Sequence, residues 1–271
     1  MPLRVEILNL GSLDDIDSSF LVRGRNPGEK RKVPVHAFLI LGGPDPILVD
    51  TGYSRPESML EVGLQASRTA EESLEAKLAE HGLAARDIRW VLMTHLHRDH
   101  AGRIEAFPAS TTVVVNRLEL EHGVTGLLGR TYPPEVLKHM IDRVYEPGAL
   151  RVLDLDLTGP QEIAPGVACE WARGHTAGSM NVLVALDDGV AAICGDVIYD
   201  VRNQLIEPFR QTLWGEPAVS GYHTTSDREE KAAVKKLLHG SRYILPSHDA
   251  GAVVEDGRVV GRVSGTSLTG L

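Results

Sequence analysis

The sequence predicts an α/β fold, and three observations carry that prediction. A chain of 271 residues, 42% hydrophobic and 24% charged, can bury a sizeable core and lies far from the composition of disordered proteins. In its first half, short apolar runs alternate with an amphipathic helical segment, the pattern of strands connected through helices. In its second half, strands restart between glycine-rich turns. No low-complexity linker, charge block or repeat divides the chain, so one domain over residues 1–271 is expected.

Residues 35–41 and 47–50 read as a hairpin joined by Gly42-Gly43-Pro44-Asp45-Pro46 and ending at Asp50-Thr51-Gly52. From 69 to 81, Leu74 and Leu78 recur at helical spacing, and Gly82 supplies a stop. A strand over 88–93 empties into His95-Leu96-His97-Arg98-Asp99-His100, and 112–115 forms the next strand. The segment 117–148 reads as largely helical, broken at Gly123, Gly126, Gly129 and Pro133-Pro134; it is an excursion from the sheet suited to substrate selection. Strands follow around 167–172, 181–186 and 190–194, the last two joined by the Asp187-Asp188-Gly189 turn. Residues 202–222 lack periodicity and read as a long surface loop, followed by a helix from about 227 to 238 and a strand at 243–245.

A net charge of -9 argues against a nucleic-acid partner, because phosphate binding draws on clustered Lys and Arg. Cys169 and Cys194 sit in apolar runs, which suits buried thiols in a reducing compartment. The start Met1-Pro2-Leu3-Arg4 lacks the pattern of a signal peptide, and no run reaches about 18 apolar residues, so no membrane partner and a cytoplasmic location are expected.

The chemistry lies in the histidines. His95, His97, Asp99 and His100 place four donors in six positions at the end of a strand, and a rigid strand end can aim imidazoles and carboxylates at a divalent ion from about 2.0 to 2.2 Å. His95 and His97, two apart, point the same way and can share one ion, while Asp99 and His100 turn to a second. The second half adds His175, Asp196 and His248, each after an apolar stretch. A carboxylate such as Asp196 can place one oxygen on each of two ions, which together acidify a water.

With H-x-H-x-D-H at 95 to 100 and His175, Asp196 and His248 following in order, the chain resembles the metallo-β-lactamase superfamily over nearly its whole length. The resemblance implies an αβ/βα four-layer sandwich with its site at one edge between two sheets. It implies His95, His97 and His175 on one ion, Asp99, His100 and His248 on the other, and Asp196 between them. Asp50 then supports a ligand histidine from behind. The implied cofactors are two divalent ions, zinc first, with iron, cobalt or manganese as alternatives.

Gly195-Asp196-Val197-Ile198-Tyr199 is similar to the N-acyl homoserine lactonases, in which a tyrosine three residues after the bridging aspartate contacts the lactone carbonyl. The strand at 33–40 and the His248-Asp249 pair resemble lactonases too, including pyridoxolactonases. This resemblance implies attack of a metal-bridging hydroxide on a lactone or ester carbonyl, with Tyr199 stabilising the oxyanion and Asp99 passing a proton to the leaving alkoxide. It also implies a small-molecule lactone or ester as partner, a quorum-quenching role, and room for a homodimer. Arg98 departs from the apolar or small residue common there. Phe209, Leu213, Trp214, Leu127 and Leu128 are candidates to line an acyl pocket, with ordinary packing the plainer reading. His36, His81, His122, His139, His223 and His239 have no ligand-like neighbours, although His223 beside Tyr222 stands in a loop able to approach the site. The rival activities on this fold are other ester, thioester or phosphotriester hydrolysis and a mononuclear iron persulfide dioxygenase, which the full set Asp99, His100 and His248 disfavours.

Overall fold

A computed structural model describes residues 2–125, 130–210, 215–222 and 225–269. In its first half, β1 (Arg4–Asp17) runs through α1 (Ser18–Leu21) to β2 (Lys30–Leu41), β3 (Ile47–Val49) and the short β4 (Gln65–Ser67). Then come α2 (Leu74–Glu80), β5 (Trp90–Leu92), α3 (Arg98–Ala101), β6 (Thr112–Asn116), α4 (Arg117–Val124), α5 (Pro134–Val144) and β7 (Leu150–Leu153). In the second half α6 (Leu155–Thr158) precedes β8 (Gln161–Ala164), β9 (Val167–Trp171), β10 (Met180–Leu186) and β11 (Gly189–Gly195). α7 (Glu207–Arg210) and α8 (Asp227–Gly240) lead to β12 (Tyr243–Pro246), β13 (Ala252–Glu255), β14 (Arg258–Arg262) and β15 (Ser267–Leu268).

Two sheets result. The first runs β15-β1-β2-β3-β5-β6-β7 with β4 added on β1, and the second runs β14-β13-β12-β11-β10-β9-β8. The hairpin expected at 35–50 is β2–β3, paired antiparallel, and the strands at 88–93 and 112–115 continue the sheet in parallel as β5 and β6. The Asp187-Asp188-Gly189 turn joins β10 to β11 as an antiparallel hairpin.

Alternation along each strand sorts side chains onto two faces. Phe38, Ile40, Leu92 and Val114 of the first sheet meet Val182, Val184, Ile193 and Leu245 of the second in a central core. Their neighbours Leu39, Val91 and Val113 turn outward onto Leu74 and Leu78 of α2 and Val136 and Met140 of α5. On the far side Ala192, Cys194 and Ile244 pack under Ala233, Val234 and Leu237 of α8. Helices outside two facing sheets make the four layers that the sequence implied. Cys169 and Cys194 are both buried and free. No helix among the described residues is long and apolar enough to cross a membrane.

Several elements differ from the sequence reading. β1 spans 14 residues with register shifts between Asn9 and Ser12 and between Leu13 and Ile16; these bulges break the period-two signal that would reveal a strand. The helix expected over 69–81 is a 3-10 turn at Ala70–Glu72 followed by α2, which Ser73 caps by accepting from the Ala76 amide. Residues 202–222 are not wholly a loop. Arg202–Ile206 is π-helical and runs into α7, and Gln204 and Leu205 are buried. A π turn shifts the hydrogen-bond register by one residue and erases the 3.6 periodicity.

Candidate metal centre

The site forms where strands of both sheets end. β5 delivers His95 and His97 just beyond its last residue, and α3, starting after His97, carries Asp99 and His100. β9, β11 and β12 of the second sheet lead into His175, Asp196 and His248. Gly195, at φ +52°, lets the end of β11 close on the first sheet, since a Cβ there would stand 2.7 Å from the Thr94 hydroxyl oxygen.

All seven predicted donors come together. The donor atoms of His95, His97 and His175 lie within 4.8 Å of one another, and so do those of Asp99, His100 and His248. Asp196 stands between the two groups. Its Oδ2 lies 3.9 Å from His95 Nε2 and 3.8 Å from His175 Nε2, while its Oδ1 lies 3.1 Å from His100 Nε2 and 3.2 Å from His248 Nε2. His248 Nε2 is also 3.3 Å from Asp99 Oδ2. His95, His100, His175, Asp196 and His248 are all under 5% exposed.

These donors fit two divalent ions. The Nε2 atom of His95 is buried without a hydrogen-bond partner among the described residues, and those of His100 and His248 meet only carboxylate oxygens, at 3.1 to 3.3 Å. Such an orphan costs about 1–3 kcal/mol unless something satisfies it. The opposite nitrogens are engaged, which orients each ring. His100 Nδ1 donates to Asp50 at 2.7 Å, as the resemblance implied for Asp50, and His248 Nδ1 donates to the Pro34 carbonyl at 2.8 Å. Asp50 also takes the amide and hydroxyl of Thr94, 2.8 and 2.7 Å away, and the Thr94 hydroxyl oxygen lies 3.1 Å from His95 Nδ1.

Electrostatics separates the two sets. Burial, reinforced by neighbouring histidines, holds His95 and His97 well below the ordinary imidazole pKa, and burial lowers His175 to about 4. His175 Nε2 and His97 Nδ1 nevertheless face each other at 3.0 Å, so at most one proton lies between them. In the other set burial is overridden. Asp196 and Asp99 raise His248 to about 10 and, with Asp50, hold His100 well above its usual value. Burial alone would raise the Asp196 carboxyl, but His100 and His248 hold it well below the ordinary carboxylate range. Two bound protons thus occupy ground where a cation fits.

A cavity of about 130 Å³ opens beside these donors, bordered by Asp99, Asp196, Tyr199 and His248. Tyr199 is 5% exposed, its ring parallel to His248 with centroids 5.5 Å apart. Burial and the nearby negative charge of Asp196 raise its pKa, so Tyr199 is a neutral phenol. The apolar wall comes from Leu13, Phe20, Met59, Val62 and Leu64, with Tyr222 stacked on Phe20 at 5.2 Å. Sequence reading singled out none of the five aliphatic and aromatic wall residues, which lie in β1, α1 and the 3-10 turn at 56–62 with its exit, without a chemical motif; Tyr222 was noted only as the neighbour of His223. Phe209 instead borders a separate groove with Leu205 and Arg258, and Leu127, Leu128, Leu213, Trp214 and His223 lie outside the described residues. His36 was read as having no ligand-like neighbour, yet burial and the nearby His248 lower it to about 4.

The model of the metallo-β-lactamase superfamily matches residues 31–248. An N-acyl homoserine lactonase of Bacillus cereus is 28% identical over 201 residues, covering 69% of this chain and 73% of that protein. The N-acyl homoserine lactonase AiiB of Agrobacterium fabrum is 27% identical over 205 residues, covering 67% and 71%. Among solved structures, a B. thuringiensis AiiA mutant with N-decanoyl-L-homoserine bound superposes with a TM-score of 0.71 at 22% identity, covering 92% of this chain and 94% of that one. AidC, a dizinc quorum-quenching lactonase in complex with a product, superposes at 0.65 with 19% identity over 96% and 92%. With the family model spanning every donor from His95 to His248, the chain belongs to the metallo-β-lactamase superfamily and is a metal-dependent hydrolase.

Proposed function

We propose that the protein is a two-zinc lactonase that opens N-acyl homoserine lactones or related lactones, a quorum-quenching activity. The observation that carries this reading is Asp196, whose two oxygens face different donor sets beside Tyr199 at the cavity wall. Bound to these sets, two zinc ions would supply an acidified water and polarisation of the ester carbonyl. In this reading His95, His97 and His175 would hold one ion and Asp99, His100 and His248 the other, with Asp196 serving both.

The protein's own groups do the rest. Tyr199, a neutral phenol at the cavity, donates its proton in a hydrogen bond to the carbonyl oxygen as charge develops there. Asp99, whose carboxyl is held down by His100 and His248 against the effect of burial, accepts the proton released by the attacking water. It returns that proton to the ring oxygen as the acyl–oxygen bond breaks, so the proton balance closes on one residue. The apolar wall of Leu13, Phe20 and Met59 excludes water and receives the acyl chain.

The test is zinc content per chain followed by parallel assays on acyl homoserine lactones, simple lactones, S-acyl glutathione and an aryl phosphotriester. Two zinc equivalents with lactone turnover dominant are expected. Turnover confined to the thioester or phosphotriester would replace this reading with another hydrolase of the same fold.

A further inference from the structure

Glu119 was not singled out by sequence, standing in the first turn of a helix where acidic residues are common. Its side chain does not serve that helix. It is 0% exposed, and its carboxylate accepts from three groups on other segments. Oε1 takes the Leu96 amide and the Tyr132 hydroxyl, both at 2.9 Å, and Oε2 takes the Thr176 hydroxyl at 2.5 Å. Leu96 lies between His95 and His97, Thr176 follows His175, and the Tyr132 ring stands edge-on to His97 with centroids 4.9 Å apart. One carboxylate therefore touches both loops that carry the first donor set.

The docking around it is tight. A Cβ on Gly178 would sit 1.9 Å from the Glu119 nitrogen, and Asn116 Nδ2 donates to the Gly178 carbonyl at 3.1 Å. The other set is oriented by different groups, Asp50 behind His100 and the Pro34 carbonyl behind His248. No hydrogen bond of Glu119 among the described residues reaches Asp99, His100 or His248.

Resting on the two-ion reading above, we propose that Glu119 is a positioning residue for one ion only: it sets the separation of the 95–97 and 175–176 loops so that His95, His97 and His175 share a divalent cation. Glu119 thus touches the first set alone, whereas Asp50 reaches His100 directly and His95 through Thr94. Removing such a contact lowers metal affinity by about 10- to 100-fold.

The test measures zinc bound per chain against chelator-buffered free zinc, with the circular dichroism of each metal-free variant as the check on folding. Glu119→Ala is expected to weaken one equivalent about 10- to 100-fold and leave the other at its original affinity, with Glu119→Gln, which keeps one acceptor oxygen, recovering part of the loss. In a His248→Ala background, where only the first set is whole, Glu119→Ala should weaken the remaining zinc; in a His175→Ala background it should change nothing. Equal weakening in both backgrounds, the result for a residue that merely supports the fold, overturns the proposal, as does no weakening in either. Should Glu119→Ala not fold, Thr176→Val cuts one of the three hydrogen bonds, and the same two backgrounds are compared for a loss of about tenfold. Fewer than two zinc equivalents in the unsubstituted chain would overturn the two-ion reading and this proposal together; two equivalents with Glu119→Ala unchanged would overturn this one alone.

Discussion

Tyr199 and His248 share one face of the cavity, and their parallel rings tie the proposed oxyanion donor to a proposed ligand. Removing a single oxyanion donor elsewhere costs about 10²–10³ in turnover, so Tyr199→Phe should lower lactone kcat by roughly that factor with zinc content unchanged. Steady-state kinetics beside metal analysis checks this, and an unaltered kcat removes the role. The protonation pattern yields a second expectation. His248, raised to about 10 from 6.5, stabilises the metal-free fold fully below about pH 6.5 and loses that contribution as pH rises through about 10. Zinc must displace that proton, so affinity at the His248 set should climb with pH up to about 10. The His95 set, with His175 near 4, should stay flat above about pH 6. Calorimetric titration in two buffers of different ionisation enthalpy reads the protons released; equal release from both sites contradicts the assignment. At this scale the sequence was highly legible, because three histidines and an aspartate in six residues leave few alternatives. Glu119 and Phe20 were not, since a lone glutamate in a helix and a lone aromatic look like surface and core anywhere.

Elements matter where they touch the site from outside. The close approach of the 176–178 loop to α4 leaves no space for a side chain at 178, so Gly178→Ala should destabilise the fold by about 3 kcal/mol or more. Thermal unfolding measures it, and a loss under about 1 kcal/mol would mean α4 moves freely. Arg98, 2% exposed, ties two other elements together: its guanidinium pairs with Glu61 at 3.0 Å, on the 3-10 turn Pro56–Val62, and with Glu135 at 3.3 Å, on α5. That turn carries Met59 and Val62 of the cavity wall. Arg98→Ala should cost about 1–3 kcal/mol, more from lost packing than from ion pairs with exposed glutamates, and should raise lactone KM more than it lowers kcat. An unchanged KM would separate the tie from the cavity. Regular elements such as β5, β6, β10 and α8 were legible from periodicity, whereas β1 and the π-helical turn were hidden by bulges and register shifts.

Across the whole molecule, each donor set draws on both sheets: His95 and His97 come from the first and His175 from the second, as Asp99 and His100 do with His248. Occupied sites therefore join the two halves, and zinc should raise the unfolding temperature in a concentration-dependent way, with about 2.7 kcal/mol gained at a hundred times Kd. A midpoint unmoved by zinc or by chelator would argue that the halves hold together unaided. The sequence showed the halves as two runs of strands, but not that they face each other across the site, because only long-range packing fixes that.

The sharing of ligands between sheets also imposes an order on synthesis. A ribosome delivers His95, His97, Asp99 and His100 well before His175, and His248 last of the seven. In the proposed assignment, a nascent chain arrested before residue 175 would hold at most a partial claim on either ion, and one arrested between 196 and 248 would have the donors for the first ion alone. On that assignment loading would be staged by chain length, with occupancy of the second site waiting on His248.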